Sequence, residues 1–176
     1  MYKKISRDLK FDTSSIAMMG TLIAIEIVLS RFASISAWNI KIGFSFVPIA
    51  IAAMILGPVK GGIVGAVADF IGAALFPIGA YFPGFTLTAF LTGAIYGIFL
   101  HEKQSLARIA GAVGINQLIL SLFLNTLWIS VLYGASYWPL FFTRILQCAF
   151  LIPVQLSAIY LISKSAIGRI TVQMYR

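Results

Sequence analysis

Six long apolar stretches, bounded by glycine, proline or charged residues, constrain the fold of this chain more than any other feature. They cover approximately residues 14–31, 44–57, 61–77, 84–101, 107–133 and 138–163. A helix needs about 20 mostly apolar residues to cross a bilayer, and the 176-residue chain is 60% hydrophobic and only 10% charged. The sequence therefore predicts an all-α integral membrane protein, in which residues 1–176 form a single domain of six transmembrane helices.

The second and third stretches are the shortest, and the segment between them, residues 57–62, reads GPVKGG. Proline and a glycine pair both oppose helix propagation. The sequence therefore predicts a tight turn here and a membrane hairpin around it.

Residues suited to catalysis or energy coupling are scarce. Six spans leave roughly 56 residues for termini and loops, and no phosphate-binding P-loop motif occurs. A single cysteine, Cys148, and a single histidine, His101, can form neither an internal disulfide nor a metal site by themselves. We therefore predict no enzymatic activity, no cofactor, no metal and no nucleic-acid partner. Uphill transport would need energy from another subunit.

The basic residues predict the orientation, because cytoplasmic loops are enriched in lysine and arginine. With both termini in the cytoplasm, ten of the thirteen basic residues lie on that side: Lys3, Lys4, Arg7, Lys10, Lys60, Lys103, Arg108, Lys164, Arg169 and Arg176. The other three, Arg31, Lys41 and Arg144, fall at or near the outer face. The outer segments 31–44, 77–85 and 133–144 contain no Asp or Glu, which predicts attraction of an anion.

Two stripes of polar and aromatic side chains follow the fifth and sixth stretches: Ser121, Asn125 and Trp128 on one, and Phe141, Arg144 and Gln147 on the other. Their spacing places each set on one helix face. Buried arginine and glutamine are costly in lipid, which favours a pocket between the two stripes with aromatic walls. In the alternative, Arg144 extends to the outer headgroups and the amides only join helices.

Two acidic residues lie within predicted spans. Asp69 falls near the middle of the third span, where an isolated carboxylate is unfavourable. It is a candidate ligand contact, proton-coupling site or structural acceptor. Glu26 is more simply explained as a local ion-pair or hydrogen-bond partner.

The segment of residues 76–85 combines two prolines, two glycines and four aromatic residues at the outer surface. Proline restricts the backbone and glycine frees it, so the composition favours a shaped lid over an aromatic ligand, with a plain connector as the alternative. Tyr81, Phe82, Phe85 and Trp128 belong either to a stacking pocket or to an interfacial aromatic belt.

Small residues follow one face of the first span: Ala17, Gly20 and Ala24. Such a stripe allows another helix to approach closely. The partner is either a helix of this chain or another membrane subunit.

Several runs carry a family resemblance: residues 41–54, 57–69, 79–90 and 124–128, and the pair Thr143–Arg144. With the six short spans and the small-residue stripe, they resemble the substrate-binding (S) components of energy-coupling factor (ECF) transporters, and among these the folate-specific FolT members. The resemblance covers nearly the whole chain.

The resemblance implies a small protein of the bacterial cell membrane that binds a vitamin from outside and associates with a coupling subunit, EcfT, and two cytoplasmic ATPases, which use the ATP. It places the vitamin among the fourth to sixth helices, capped by the first and third loops. It assigns the first-helix small residues to the contact with EcfT, with Gly20-x-x-x-Ala24 in place of the family's two alanines.

Folate also fits the chemistry of the outer half. Its flat rings suit aromatic walls, its pterin edge needs donors and acceptors, and its glutamate tail is anionic. The expected substrate-binding residues are Arg31, Lys41, Asp69, Tyr81, Phe82, Phe85, Asn125, Trp128, Arg144 and Gln147. Two alternatives stay open: an S component for another vitamin such as riboflavin, and a proton-coupled transporter that uses Asp69.

Overall fold

A computed structural model describes residues 11–36 and 41–165. The elements in chain order are α1 (Thr13–Arg31), β1 (Ile35–Ser36), β2 (Lys41–Ile42), α2 (Phe46–Leu56), α3 (Pro58–Leu75), α4 (Pro83–Leu100), α5 (Leu106–Gly114), a π-helix (Ile115–Leu124), α6 (Asn125–Tyr133) and α7 (Tyr137–Lys164). From Leu106 to Tyr133 the chain forms one continuous 28-residue helix. We call the end of the bundle where β1 and β2 lie the ladder end.

Each predicted span coincides with a helix to within three residues at either end. Five of the helices are long and apolar enough to cross a membrane: Thr13–Arg31, Pro58–Leu75, Pro83–Leu100, Leu106–Tyr133 and Tyr137–Lys164. The helix that corresponds to the second predicted span, α2, has only 11 residues and would extend about 16 Å. Seven of its residues are buried and the other four are half-buried, so its apolar character reflects packing inside the bundle.

The chain between α1 and α2 contains an element that the all-α prediction omitted. Two short strands pair antiparallel there, with Ile35 opposite Ile42 and Ser36 opposite Lys41. Alternation over two residues is too short to be recognised from sequence.

The turn between α2 and α3 is shorter than the predicted segment 57–62. It consists of Gly57 alone, which has φ = 89°, a backbone conformation that favours glycine. Pro58 is the first residue of α3, a position where its fixed φ suits the helix and its missing N–H costs nothing. Lys60 and Gly61 are therefore helical, and the predicted hairpin is formed around a single residue.

Glycines allow α3 and α4 to pack with their backbones almost in contact. A Cβ atom on Gly93 would lie 2.2 Å from the carbonyl oxygen of Gly61, and one on Gly97 would lie 2.3 Å from Cα of Pro58. No side chain fits in that space. This contact fixes α4 so that Phe85, Thr88 and residues further along it face the centre of the bundle.

The main core lies toward the end opposite the ladder. Met54 of α2, Leu100 of α4, Ile109 of α5 and Ile159 of α7 are fully buried in it. His101 follows α4 and is buried, with Nδ1 lying 2.8 Å from the carbonyl oxygen of Met54. This core closes the bundle beneath a polar cavity.

Candidate functional site

A cavity of about 230 Å³ lies between α1, α2, α4, the Leu106–Tyr133 helix and α7. Its charged and amide lining consists of Glu26, Asn116, Gln117, Asn125, Arg144, Gln147 and Gln155. Apolar and aromatic side chains such as Phe46, Ile49 and Phe85 complete the walls. A concave apolar site with a few convergent polar groups is typical of small-molecule binding.

Arg144 is held inside this cavity. It is only 5% exposed, and its Nη2 donates a hydrogen bond to the carbonyl oxygen of Ser121, at 3.2 Å. The guanidinium therefore faces protein, and does not extend to the headgroups as in the alternative interpretation. Because Ser121 lies on the neighbouring helix, this bond also joins α7 to the stretch that carries Asn125.

Three amide side chains of the cavity lining have atoms that lack hydrogen-bond partners within the described parts of the chain. These atoms are Oδ1 and Nδ2 of Asn116, Oε1 of Gln117 and Oδ1 of Asn125. Asn116 and Gln117 are each only 5% exposed. Buried polar atoms are nearly always hydrogen-bonded in native proteins, so these atoms mark a place where a polar ligand would complete the bonding.

Asn116 and Gln117 lie in the π-helical stretch, Ile115–Leu124. Single π-helical turns inside α-helices occur frequently at functional sites. Here the stretch lets two consecutive residues both line the cavity.

The deep part of the cavity contains a hydrogen bond between two helices. The hydroxyl of Tyr96, on α4, donates to Oε1 of Gln155, on α7, at 3.1 Å, and both residues are buried. Gln155 lies eight residues beyond Gln147, or about two helical turns. The polar lining thus extends well into the bundle.

Aromatic residues support one wall in two layers. Phe85 lines the cavity directly, and the Phe82 ring packs against Phe85 and Trp128 at centroid distances of 6.2 and 5.5 Å. Nε1 of Trp128 donates to Oγ1 of Thr88, a lining residue, at 3.1 Å. Phe82 and Trp128 therefore pack against the lining residues Phe85 and Thr88 and are not lining residues themselves.

A second polar group, which we call the ladder-end network, lies outside the cavity lining. It consists of Arg31, Asp69, Tyr81 and Thr86. Oγ1 of Thr86 donates to Oδ2 of Asp69 at 2.8 Å, and the Tyr81 hydroxyl lies 3.3 Å from the same Oγ1.

The arginine of this network approaches the carboxylate from α1. Nη2 of Arg31 is 4.0 Å from Oδ1 of Asp69 and 3.4 Å from the Asp69 carbonyl oxygen. The network thus joins α1, α3, α4 and the segment before α4. Glu26, expected to be a local ion-pair or hydrogen-bond partner, also lines the cavity.

The structure brings together some of the expected substrate-binding residues and separates others. Phe85, Asn125, Arg144 and Gln147 line the cavity, whereas Trp128 and Phe82 support its wall. Arg31, Asp69 and Tyr81 belong to the ladder-end network. The backbone of Lys41 lies in β2, while its side chain falls outside the described part of the structure, as does the rest of the first loop, residues 37–40.

The lining also contains residues that the sequence analysis did not select: Glu26, Tyr96, Asn116, Gln117 and Gln155. A signal for two of them was present. Gln117 extends the Ser121–Asn125 stripe by one step of four residues, and Gln155 lies two such steps beyond Gln147.

The small-residue stripe on α1 is exposed. Ala17, Gly20 and Ala24 all lie on the surface, and a Cβ atom on Gly20 would meet nothing within 4 Å. Within the described residues, no helix of this chain packs against Gly20.

Residues 11–36 and 41–165 contain no group of three or more His, Cys, Asp or Glu side chains that could hold a metal ion.

Comparisons with known proteins agree with this architecture. A family model described as the substrate-specific component of ECF transporters matches residues 14–168. The folate transporter FolT of Clostridium novyi (strain NT) is 45% identical over 143 residues, which cover 81% of this chain and 83% of that protein. The folate transporter FolT of Leuconostoc mesenteroides subsp. mesenteroides is 31% identical over 174 residues, 94% of each chain.

A solved structure is also similar. The crystal structure of FolT bound with folic acid matches with a TM-score of 0.84 and 39% sequence identity, covering 89% of this chain and 98% of that chain. The family match spans most of the sequence, and the structural similarity covers 89% of this chain. This chain belongs to the family of substrate-specific components of ECF transporters.

Proposed function

We propose that this protein is a folate-specific S component that captures folate at the outer face of the bacterial cell membrane. The observation that carries this proposal is the cavity itself, in which unpartnered amide atoms, an aromatic wall and the buried Arg144 converge. The similarity to two folate transporters and to a FolT structure with folic acid supports the same ligand.

Folate matches this lining group by group. Its pterin edge carries hydrogen-bond donors and an acceptor that suit the amides, and its rings suit the wall formed by Phe85. A cavity of about 230 Å³ is smaller than the roughly 300–1,000 Å³ of drug-sized ligand pockets. The rings therefore occupy the cavity, and the glutamate tail extends toward the ladder end. Arg144 pairs with a tail carboxylate, and Arg31 and Lys41 add positive charge near the mouth.

In the proposed membrane arrangement, six helices cross the membrane, and α2 is the shortest of them. The ladder end of the bundle faces outward. Both termini then lie in the cytoplasm with ten of the thirteen basic residues. The cavity lining includes Gly43 and Ser45 at the ladder end, so in this arrangement the cavity reaches toward the outer side, from which folate arrives.

Release into the cell requires partners, for which we propose EcfT and two ATPases that supply the energy from ATP. The open face of α1 at Ala17, Gly20 and Ala24 suits docking by a helix of EcfT, because small residues allow close backbone approach. Membrane lipid surrounds the remaining apolar surface, and the S component needs no cofactor of its own.

Equilibrium dialysis of the purified chain in detergent tests the binding step. We expect saturable binding of folic acid at one molecule per chain, with riboflavin and thiamine bound far more weakly. Tight binding of riboflavin in place of folic acid would contradict the proposed ligand. If none of the three vitamins bound, the proposed function would be contradicted.

The variant Gly20→Leu tests the partner surface. Since a side chain at Gly20 meets open space, we expect folic acid affinity to stay within about threefold of wild type, while co-purification with EcfT and folate uptake are lost. Gly114→Leu is the matched control, because a Cβ atom on Gly114 also meets nothing within 4 Å. It should retain both. Retained co-purification in Gly20→Leu would place the EcfT contact elsewhere.

A further inference from the structure

The π-helical stretch Ile115–Leu124 interrupts the backbone bonding of the helix around it. The amide of Asn125, directly after the stretch, donates to the carbonyl of Leu120, five residues back, whereas an α-helical amide donates to the carbonyl four residues back. Where the bonding returns from five residues to four, the helix passes over one carbonyl. A buried carbonyl without a donor is unfavourable. A donor from outside the backbone ladder is therefore needed just after Leu120.

Side chains supply donors at this point. Nη2 of Arg144, on α7, donates to the carbonyl oxygen of Ser121 at 3.2 Å. The hydroxyl of Thr126, which is fully buried, donates to the carbonyl oxygen of Leu122. These are the first two carbonyls after Leu120. The end of the π-helical stretch is therefore held by side-chain bonds as well as by its own backbone.

A third donor bonds the first half of the stretch. Sγ of Cys148 donates to the carbonyl oxygen of Gln117 at 3.4 Å, and Cys148 is only 2% exposed. Cys148 follows Arg144 by four residues on α7, and Gln117 precedes Ser121 by four residues on the facing helix. The two α7 side chains thus bond the stretch at two levels, about one helical turn apart.

These three bonds specify one register of the stretch. A shift by one residue would rotate its side chains by about 100° in a helix of 3.6 residues per turn, and it would present other carbonyls to the donors on α7. Asn116 and Gln117, which line the cavity in the present register, would then turn away from it. Thr126 and Cys148 are not lining residues, so they act on the cavity through the helix.

We propose that Cys148 and Thr126 are positioning residues, which hold residues 115–124 in the π-helical register that a bound ligand requires. This inference rests on the proposed folate-binding function, and it concerns the shape of the helix and not the contacts of the ligand. Arg144 is the third donor. Because three donors hold the register, the loss of one leaves two, and a large effect needs the loss of two.

The double variant Cys148→Ala with Thr126→Val tests the inference, because both changes remove a donor and neither adds a polar group. We expect the affinity for folic acid to fall about 10-fold, since two bonds that hold the site in shape are lost. A pterin without the glutamate tail should lose affinity by the same factor, because the register does not act on the tail. Isothermal titration calorimetry of the folded variant measures both.

The matched control is Cys148→Ser with Thr126→Ser, which keeps a hydroxyl donor at both positions. It should bind folic acid within about threefold of wild type. Thermal unfolding of both double variants separates the two roles. A purely structural contribution of these side chains would lower the thermal midpoint and leave the affinity of the folded protein unchanged.

Disulfide formation reports the register directly. Cys148 is the single cysteine of the chain, and its Sγ lies 4.0 Å from Oγ of Ser121. Ser121→Cys therefore places a second thiol within reach of a disulfide, whereas Leu120→Cys and Leu122→Cys place it about 100° away around the helix. Under oxidation by copper phenanthroline, Ser121→Cys should lose both maleimide-reactive thiols at least about 10-fold faster than the other two variants. Adding Thr126→Val should reduce this preference.

Three results would overturn the inference alone. These are folic acid affinity within about threefold of wild type in the folded Cys148→Ala, Thr126→Val variant, an equal loss in the matched serine variant, and equal rates of disulfide formation in the three cysteine variants. Failure of wild-type protein to bind folic acid would instead overturn the proposed function. Disulfide formation needs no ligand, so it tests the register even if the double variant fails to fold or the ligand is another vitamin.

Discussion

The cavity and the ladder-end network both place polar side chains inside an apolar bundle, but they differ in how those side chains are bonded. In the network, the carboxylate of Asp69 accepts a hydrogen bond from Thr86 and lies beside Arg31, and Thr86 also lies within hydrogen-bond distance of Tyr81. Nε of Arg31 lacks a partner among the described residues, so the contrast concerns the carboxylate of the network and the amides of the cavity. In the cavity, Asn116 and Asn125 have side-chain atoms without a partner among the described residues.

This difference separates two uses of a polar residue in a membrane protein. A carboxylate with partners on neighbouring helices stabilises the packing of those helices. An amide left unbonded destabilises the empty protein and gains its partner from a ligand. Asp69 was a candidate for binding, proton coupling or structure on its sequence alone, and its bonding favours the structural role.

The largest effect is expected from Arg144→Ala. Hydrogen bonds to charged groups contribute roughly 1.5–3 kcal/mol, which corresponds to about 10- to 100-fold in affinity. We expect folic acid binding to weaken by that factor, while a pterin without the glutamate tail changes by less than about threefold. Isothermal titration calorimetry with both ligands measures the difference.

Arg144→Lys is the control for this prediction, because it keeps the positive charge but not the planar guanidinium. It should lose less affinity for folic acid than Arg144→Ala. Equal losses for the tailed and tailless ligands in Arg144→Ala would mean that Arg144 contacts the rings or only holds Ser121.

An intermediate effect is expected from Asp69→Asn, and it should appear in stability. The change removes the charge beside Arg31 and weakens the bond from Thr86, which should cost about 1–2 kcal/mol. Folic acid affinity should stay within about threefold of wild type. Thermal unfolding in detergent, followed by a folic acid titration of the same sample, separates the two readouts.

Thr86→Val supplies the partner variant for a double-mutant cycle. Since Thr86 and Asp69 share one hydrogen bond, the stability losses of the two changes should be less than additive when combined. A tenfold loss of folic acid affinity in Asp69→Asn, with thermal stability intact, would instead assign Asp69 to the ligand.

The smallest effect is expected from Tyr81→Phe. The Tyr81 hydroxyl lies 3.3 Å from Oγ1 of Thr86 and the residue is 45% exposed, so the loss of stability should be below about 1 kcal/mol. Tyr133→Phe removes a hydroxyl from a similarly exposed tyrosine at the same end and serves as control. A larger loss of ligand affinity than of stability would assign the Tyr81 hydroxyl to the binding site.

The sequence predicted the helices well because a long apolar run is a local property. Each of the six spans, including the short α2, corresponds to a helix. The turn was placed too broadly because proline and glycine oppose helices in general, whereas Pro58 at the first helical position is favourable. The family resemblance is confirmed by the match over residues 14–168.

The site could be predicted only in part. Helical spacing placed Asn125, Arg144 and Gln147 on common faces, and all three line the cavity. Asn116 was not selected because it lies in a π-helix, which changes which residues share a helix face. No sequence pattern indicated that change. The contact between Arg31 and Asp69 depends on how α1 packs on α3, which spacing along one helix does not determine.

Tryptophan fluorescence tests most directly the claim that the cavity is the folate site. Trp128 supports the cavity wall through its bond to Thr88, so bound folic acid should quench it. We predict saturable quenching of wild-type protein at one folic acid per chain, most of which is lost in Trp128→Phe even though dialysis still detects binding. Saturable binding with quenching unchanged in Trp128→Phe would contradict the account, because folate would then occupy another part of the molecule.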